Sequence, residues 1–335
     1  MQGAFVVWFL LIVYIAARVA DFLNRLLSPD LAAVAFGEGG DDAYYFFVVA
    51  RNIAQGNGFT ADGVHWTTGF QPLWQMLTGL AFLAGSDRAA FAVIYLMSFA
   101  IWLVGAVLFV RFVRRASNTP FTPLMSILVA ALFLCESQLA TLYFNGLETG
   151  LYLTLCLGLL LAFQHHLQST EAASFRRLAG IGLLAGLVML TRNDGVFVCA
   201  GLLLATLLPG MRPRPIGEAV VIVAVASVML VPWLIYCFAL WGHPLPQTGV
   251  ATSFAVRGVV DLPGALLKLL ISVVPTYFLK VNAAIISTPR LALLGVVVAV
   301  AALVVWWRLR DRHAAIERPS RVVLAGFAVS CLLLL

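Results

Sequence analysis

PLWQMLTGLAFLAG, residues 72–85, is an apolar run of 14 residues that opens on a proline, and whether it crosses a membrane decides how the rest of the chain is arranged. A helix needs ~20 apolar residues to span a bilayer, so this run is short. If it crossed, every later loop would change sides. The arginines stand in groups between apolar runs, at Arg111/Arg114/Arg115, Arg176/Arg177, Arg212/Arg214 and Arg308/Arg310/Arg312/Arg318/Arg321. Basic loops of membrane proteins stay on the cytoplasmic side. All these groups face inward only if 72–85 dips into, or lies along, the outer surface. Residues 22–89 are therefore expected to form one long external segment.

Composition sets the frame for that reading. Of 335 residues 62% are hydrophobic and 11% charged, with a mean hydropathy of +0.99, whereas a soluble domain carries roughly 25% charged residues. Too little polar side chain is present to coat a soluble body of this size. The apolar residues come in long runs, not in the ~10-residue alternating pieces of a β-barrel, so the fold class is all-α and polytopic. Spans are expected near 4–21, 90–110, 121–142, 149–165, 178–191, 195–209, 216–241, 289–307 and 321 onward, about nine in all. A half-buried helix is expected near 262–280, and residues 1–335 read as a single transmembrane domain.

Several features are bland. The first run, AFVVWFLLIVYIAA at 4–17, lacks a cleavage site and reads as a retained anchor. The five cysteines lie inside apolar runs without ligand spacing and read as packing residues. The net charge of +6 records topology rather than a nucleic-acid partner. Neither a P-loop nor a strand-borne GxGxxG appears. The chain stops inside VVLAGFAVSCLLLL, so it is expected to be a fragment of something longer.

The acids are distributed unevenly. Asp21, Asp30, Glu38, Asp41, Asp42, Asp62 and Asp87 all fall at or after the first run, on the expected outer side. Within that segment GDDAYYFFVVARNIAQGNGF, 40–59, has helical periodicity: Ala43, Phe46, Phe47, Ala50, Ile53 and Ala54 form an apolar stripe that Gly56 and Gly58 end. Such a helix is expected to lie in the membrane interface. Asp41 and Asp42 stand where it starts. One reading is that they cap free backbone amides; the other is that one caps while its neighbour serves as a general base. Adjacent carboxylates also suit a divalent cation, although nothing in the sequence sets a coordination sphere.

Further candidates lie in the polar connections. FTADGVHWTTGFQPLW, 59–74, is turn-rich, with aromatics that anchor at an interface or stack on sugars; His65 in it reads as a hydrogen-bonder or a catalyst. Glu136 falls inside an apolar run, LFLCESQLA, where an unpaired carboxylate is costly, so it is expected to face a wet cavity or a partner. Glu148, in NGLETG, opens a span and either favours the helix dipole or meets a ligand. Arg192 and Asp194 are expected at the tip of a tight outer hairpin, paired with each other or with Arg192 free for a phosphate. His243, between Gly242 and Pro244, marks a rigid outer loop.

A first span, an external loop opening with an acidic pair on an interfacial helix, and then a short half-buried helix together resemble the GT-C superfamily of membrane glycosyltransferases. More narrowly, GDDAYYFFVVARNIAQGNGF followed by TTGFQPLW looks like the DDAY-x-x-x-x-ARN-x-x-x-G-x-G and TNG-x-x-PLW pattern of bacterial members related to arabinofuranosyl- and mannosyltransferases. NGLETGLY, LTRNDG and WGHPLPQT match in the same order, so the resemblance covers about residues 1–255. Thr68 stands where that pattern commonly has Asn.

The resemblance implies inverting transfer of a sugar from a polyprenyl-phosphate donor to an acceptor hydroxyl on the outer side of the inner (plasma) membrane. It places the catalytic base on Asp41, with Asp42 supporting it or binding metal. Arg192, and with it His243, would neutralise the leaving phosphate, and His65, Glu136, Glu148 and Asp194 complete the candidate substrate-binding set. The partners implied are the lipid-linked sugar, a glycan, lipid or protein acceptor, and the bilayer. The competing classes are a glycolipid transporter or flippase, marked by charges or broken helices near the midplane of several spans, and a non-catalytic subunit of an envelope complex.

Overall fold

The computed structural model describes residues 2–27, 41–117, 120–169, 173–207, 215–244 and 246–247. Within them the chain is helical, and its β-structure is one isolated bridge, Thr60 to Trp66. The helix expected near 262–280 and the spans expected at 289–307 and 321 onward lie outside the described residues.

Helix α1 is Gln2–Leu27 and α2 is Asp41–Ala54. The stripe read on α2 is its packed face: Ala43, Phe46, Phe47 and Ala50 are buried, as is Val49, while Asp42 and Tyr44 are exposed. Gly56 and Gly58 then take φ of 84° and 69°, the left-handed region open to glycine at little cost. At Gly58 a Cβ would also stand 2.8 Å from the Trp66 indole.

The decisive run forms α3, Pro72–Phe82, with proline in its first turn. Eleven residues rise ~16 Å, about half of a bilayer core, so α3 does not span one. It packs instead on α2, with Gln75 donating to the Phe46 carbonyl at 3.0 Å, and near its start Trp74 donates to the Gly146 carbonyl at 3.0 Å. Ser86 accepts from the Ala89 amide and so caps α4, Asp87–Ala116.

The expected single span at 121–142 is two helices, α5 at Pro123–Cys135 and α6 at Ser137–Phe144. Glu136 between them has extended backbone and accepts from the Leu139 amide at 2.6 Å. It breaks one helix and caps the next, so the carboxylate expected to face a wet cavity or a partner has a backbone amide as its partner. The remaining helices are α7 (Thr149–Gln168), α8 (Phe175–Thr191), α9 (Gly195–Thr206) and α10 (Pro215–Trp241).

Three described helices, Asp87–Ala116, Thr149–Gln168 and Ile216–Trp241, are long and apolar enough to cross a membrane. Their outward faces carry Leu96, Val107, Val220, Val228, Ile235 and Phe238 exposed, a surface suited to lipid. Helices α8 and α10 approach closely because Gly182 and Gly186 leave room for Val225 and Met229.

The bundle has two chemically distinct ends. At one lie the C-terminus of α1, the segment from α2 to α3, the starts of α4 and α7, and the turn between α8 and α9. There Arg88 donates to the Leu26 carbonyl and Trp74 to Gly146. At the other lie the C-termini of α4 and α7 and the start of α10, with Arg111, Arg114, Arg115 and His165 together and Glu218 accepting from the Ala173 amide.

Candidate functional site

Segments far apart in the chain meet at the first of these ends. The loop after α2 is tied by Asn52, whose amide donates to the Thr60 carbonyl at 2.8 Å and the Ala61 carbonyl at 3.3 Å, and by the Thr67 amide donating to Phe59 at 2.8 Å. The loop thus becomes a closed projection carrying Asp62, His65 and Trp66. Asp62 accepts from the backbone amides of Val64 and His65 at 2.9 and 2.7 Å and pairs with His65 Nδ1 at 2.6 Å. Those bonds, the one to the His65 ring above all, hold its carboxyl well below the usual carboxylate range. His65 is 84% exposed and belongs to this turn.

Thr67 is the junction. Its hydroxyl lies 2.8 Å from Tyr45 Oη on α2 and 3.3 Å from Gln247 Oε1, and its carbonyl accepts from Tyr236 of α10 at 3.2 Å. Thr68, the position that departs from the asparagine of the resemblance, is buried and accepts the Gln247 amide at 3.1 Å. The TTG and PLPQ stretches are therefore in direct contact, as are PLW and NGL through Trp74. An aromatic group backs the junction: Phe59 stacks on Phe70 at 5.2 Å, Trp233 stacks on Tyr236 at 5.4 Å, and Trp66, 54% exposed, lies beside Tyr236.

Arg192, Asp194 and Glu148 form one cluster. Arg192 Nε and Nη2 each donate to Asp194 at 3.1 Å, and Nη1 donates to Glu148 at 3.1 Å. The guanidinium also lies 5.6 Å from the centre of the Tyr152 ring. The expected Arg192–Asp194 pair is thus present, with Glu148 as a third member. Glu148 precedes α7 but makes no side-chain cap. Burial pushes its carboxyl up, against the pull of Arg192. The two acids hold Arg192 above its ordinary range although burial opposes them.

The other candidates are more dispersed. Asp41 is the first residue of α2, and its side chain lies outside the described ones; Asp42 beside it is exposed. His243 stands exposed on the turn after Gly242, and Glu136 serves the break between α5 and α6. Among the described side chains no three His, Cys, Asp or Glu gather as a metal site. A cation at the acidic pair would draw on Asp41 and Asp42.

Sequence reading did not single out Arg51, which pairs with Asp87 at 3.0 Å and lines a cavity of about 300 Å³ with Phe82 and Ser86. Its place in the ARN triplet of the resemblance was the available signal, since the α2 stripe identifies only the packed face and Arg51 lies off it. No protein-family profile, curated protein or solved structure matches this chain.

Proposed function

We propose that the chain is a membrane glycosyltransferase of GT-C type, with about nine spans, that moves a sugar from a polyprenyl-phosphate donor to an acceptor hydroxyl outside the cytoplasm. The observation that supports this most is the meeting of the DDAYY, TTGFQPLW, NGLETG, TRND and PLPQ stretches at one end of the bundle. Polar segments from distant parts of the chain, packed together at the end of the bundle where α2 begins, suit a surface reaction on a lipid-borne substrate.

In the proposed reaction Asp41 takes the proton of the acceptor hydroxyl while that oxygen attacks the anomeric carbon. The bond from this carbon to the phosphate oxygen breaks, and polyprenyl phosphate leaves with the electron pair, inverting the centre. Arg192 faces the leaving phosphate. Because Asp194 and Glu148 already share its guanidinium, their balance sets how much positive charge it offers, and protonation of Glu148, which burial favours, leaves one carboxylate against one cation. Trp66 supplies an exposed ring for stacking on the sugar. A divalent cation held by Asp41 and Asp42 would add charge stabilisation. Among the described residues the ionisable pairs Glu148–Arg192 and His166–Glu218 stand at opposite ends of the bundle, an arrangement that favours surface chemistry over alternating access.

The acidic pair provides the test, because asparagine caps a helix about as well as aspartate but accepts no proton. Asp41→Asn is expected to keep thermal stability within about 1 kcal/mol of the parent and to lose roughly 10²- to 10⁴-fold in transfer. Asp42→Asn is expected to lose less. Parental rates for both variants, at equal amounts of protein in the membrane, would make the pair structural and remove the proposed base.

A further inference from the structure

At the end of the bundle away from the acidic loop, a cavity of about 600 Å³ opens between the last turns of α4 and α7. Its rim is basic: Arg111, Arg114 and Arg115 come from α4 and His165 from α7. Its deeper wall is apolar, made by Leu108 of α4 with Leu161 and Ala162 of α7. The two helices run in the same direction, so both pass from apolar to basic along one axis. From Leu108 to Arg115 that change takes ~10 Å, comparable to the step from acyl chain to headgroup.

The arginines at this rim are uncommitted. None of Arg111, Arg114 and Arg115 makes an ion pair with a described residue, and all three are exposed. Among the described residues no acid lines the cavity. The described acid of the neighbouring elements, Glu218, is turned inward, 3.3 Å from His166 and accepting the Ala173 amide. Three cations side by side, with no counter-charge among the described residues, repel one another, and an anion between them relieves that repulsion. Basic pockets between membrane helices at the headgroup level suit lipid phosphates.

We propose that this cavity is a binding site for one anionic phospholipid of the cytoplasmic leaflet, its phosphodiester held by Arg111 and Arg115 and the start of an acyl chain lying against Leu108 and Leu161. The site is separate from the acidic loop, and the proposal does not depend on what that loop does. A basic rim that only records topology would attract anionic lipid diffusely and would be indifferent to the apolar wall.

The test is a titration of delipidated full-length protein with phosphatidylglycerol and, in parallel, phosphatidylcholine of the same chain length, read by native mass spectrometry. The parent is expected to retain a single phosphatidylglycerol in preference to phosphatidylcholine, with the preference falling about fivefold for each arginine removed in Arg111→Gln/Arg115→Gln. Leu108→Trp fills the apolar wall, leaves every arginine in place, and is expected to weaken retention as well. Arg212→Gln/Arg214→Gln removes equal charge from a different connection of the sequence and is expected to change nothing. Retention unaffected by both the arginine and the Leu108 variants overturns the proposal, as does an equal loss in the Arg212/Arg214 control. Complete displacement by millimolar inorganic phosphate also overturns it, since the occupant would then be a soluble anion.

Discussion

Arg192 shows how one side chain comes to serve two neighbours. Its guanidinium presents a planar fork that fits a carboxylate, and the tight turn from α8 into α9 sets Asp194 against that fork. Its remaining face reaches Glu148, 44 positions away in the chain. Removing the cation would strand a buried carboxylate, so Arg192→Ala is expected to destabilise the fold by about 2 kcal/mol, below the cost for a fully buried pair because Arg192 is part-exposed. Glu148→Gln in the same chain should recover much of that loss, a coupling that a double-mutant cycle in denaturant would measure.

The sign with pH follows from burial. The folded state raises the Glu148 carboxyl above its ordinary value, so whatever stability its neutral form contributes is complete below the unfolded pKa and is lost as pH rises through the folded one. Arg192 opposes that rise and limits the loss. The Arg192→Ala penalty should therefore be larger at pH 8 than at pH 5. A penalty independent of pH would mean that Glu148 is not the group being stranded. Of this cluster, the sequence made only the Arg192–Asp194 contact legible, since two residues apart on a turn is a local relation. The link to Glu148 depends on how α7 packs beside α8, which no local pattern encodes.

Among the elements, helix boundaries were most legible where glycine, proline and periodicity agreed. Helix α2 starts at Asp41 and ends ahead of Gly56, as the apolar stripe and its glycine stop predict. The break at Glu136 was not legible, because an acid inside an apolar run reads as a carboxylate in one continuous span that needs a wet cavity or a partner, whereas the chain turns there and uses the carboxylate as a cap. The contact between α8 and α10 offers a sharp comparison. A Cβ at Gly182 would lie 2.7 Å from the Ile222 carbonyl oxygen and 2.8 Å from Val225 Cβ, while one at Gly180 would meet nothing within 4 Å. Gly182→Ala is expected to cost about 1–3 kcal/mol by forcing the helices apart. Gly180→Ala should be neutral or stabilising by up to about 1 kcal/mol. Equal effects in thermal unfolding would show that the two helices do not pack through Gly182.

For the whole molecule, the sequence made the segregation of charge legible before any helix was placed. The structure sets Asp87 and Ser117 at opposite ends of α4, and α3 is too short to reverse that order. Single cysteines at Ser86 and Ser117 are therefore expected to react oppositely with an impermeant thiol reagent applied outside intact cells, position 86 labelled and position 117 protected. The reverse pattern would place the acidic loop in the cytoplasm, away from any lipid-linked donor of the outer leaflet.

The central claim is that this end of the bundle breaks the bond between a sugar and a polyprenyl phosphate. The most direct measurement incubates purified full-length protein in lipid with a polyprenyl-phosphate sugar labelled in the sugar, in the presence of cell-envelope acceptor, and follows free polyprenyl phosphate and labelled product together. Both are expected to appear in equal amounts, at a rate proportional to protein. Donor that reaches the opposite leaflet intact, with neither product formed, would contradict it and identify a carrier of glycolipid.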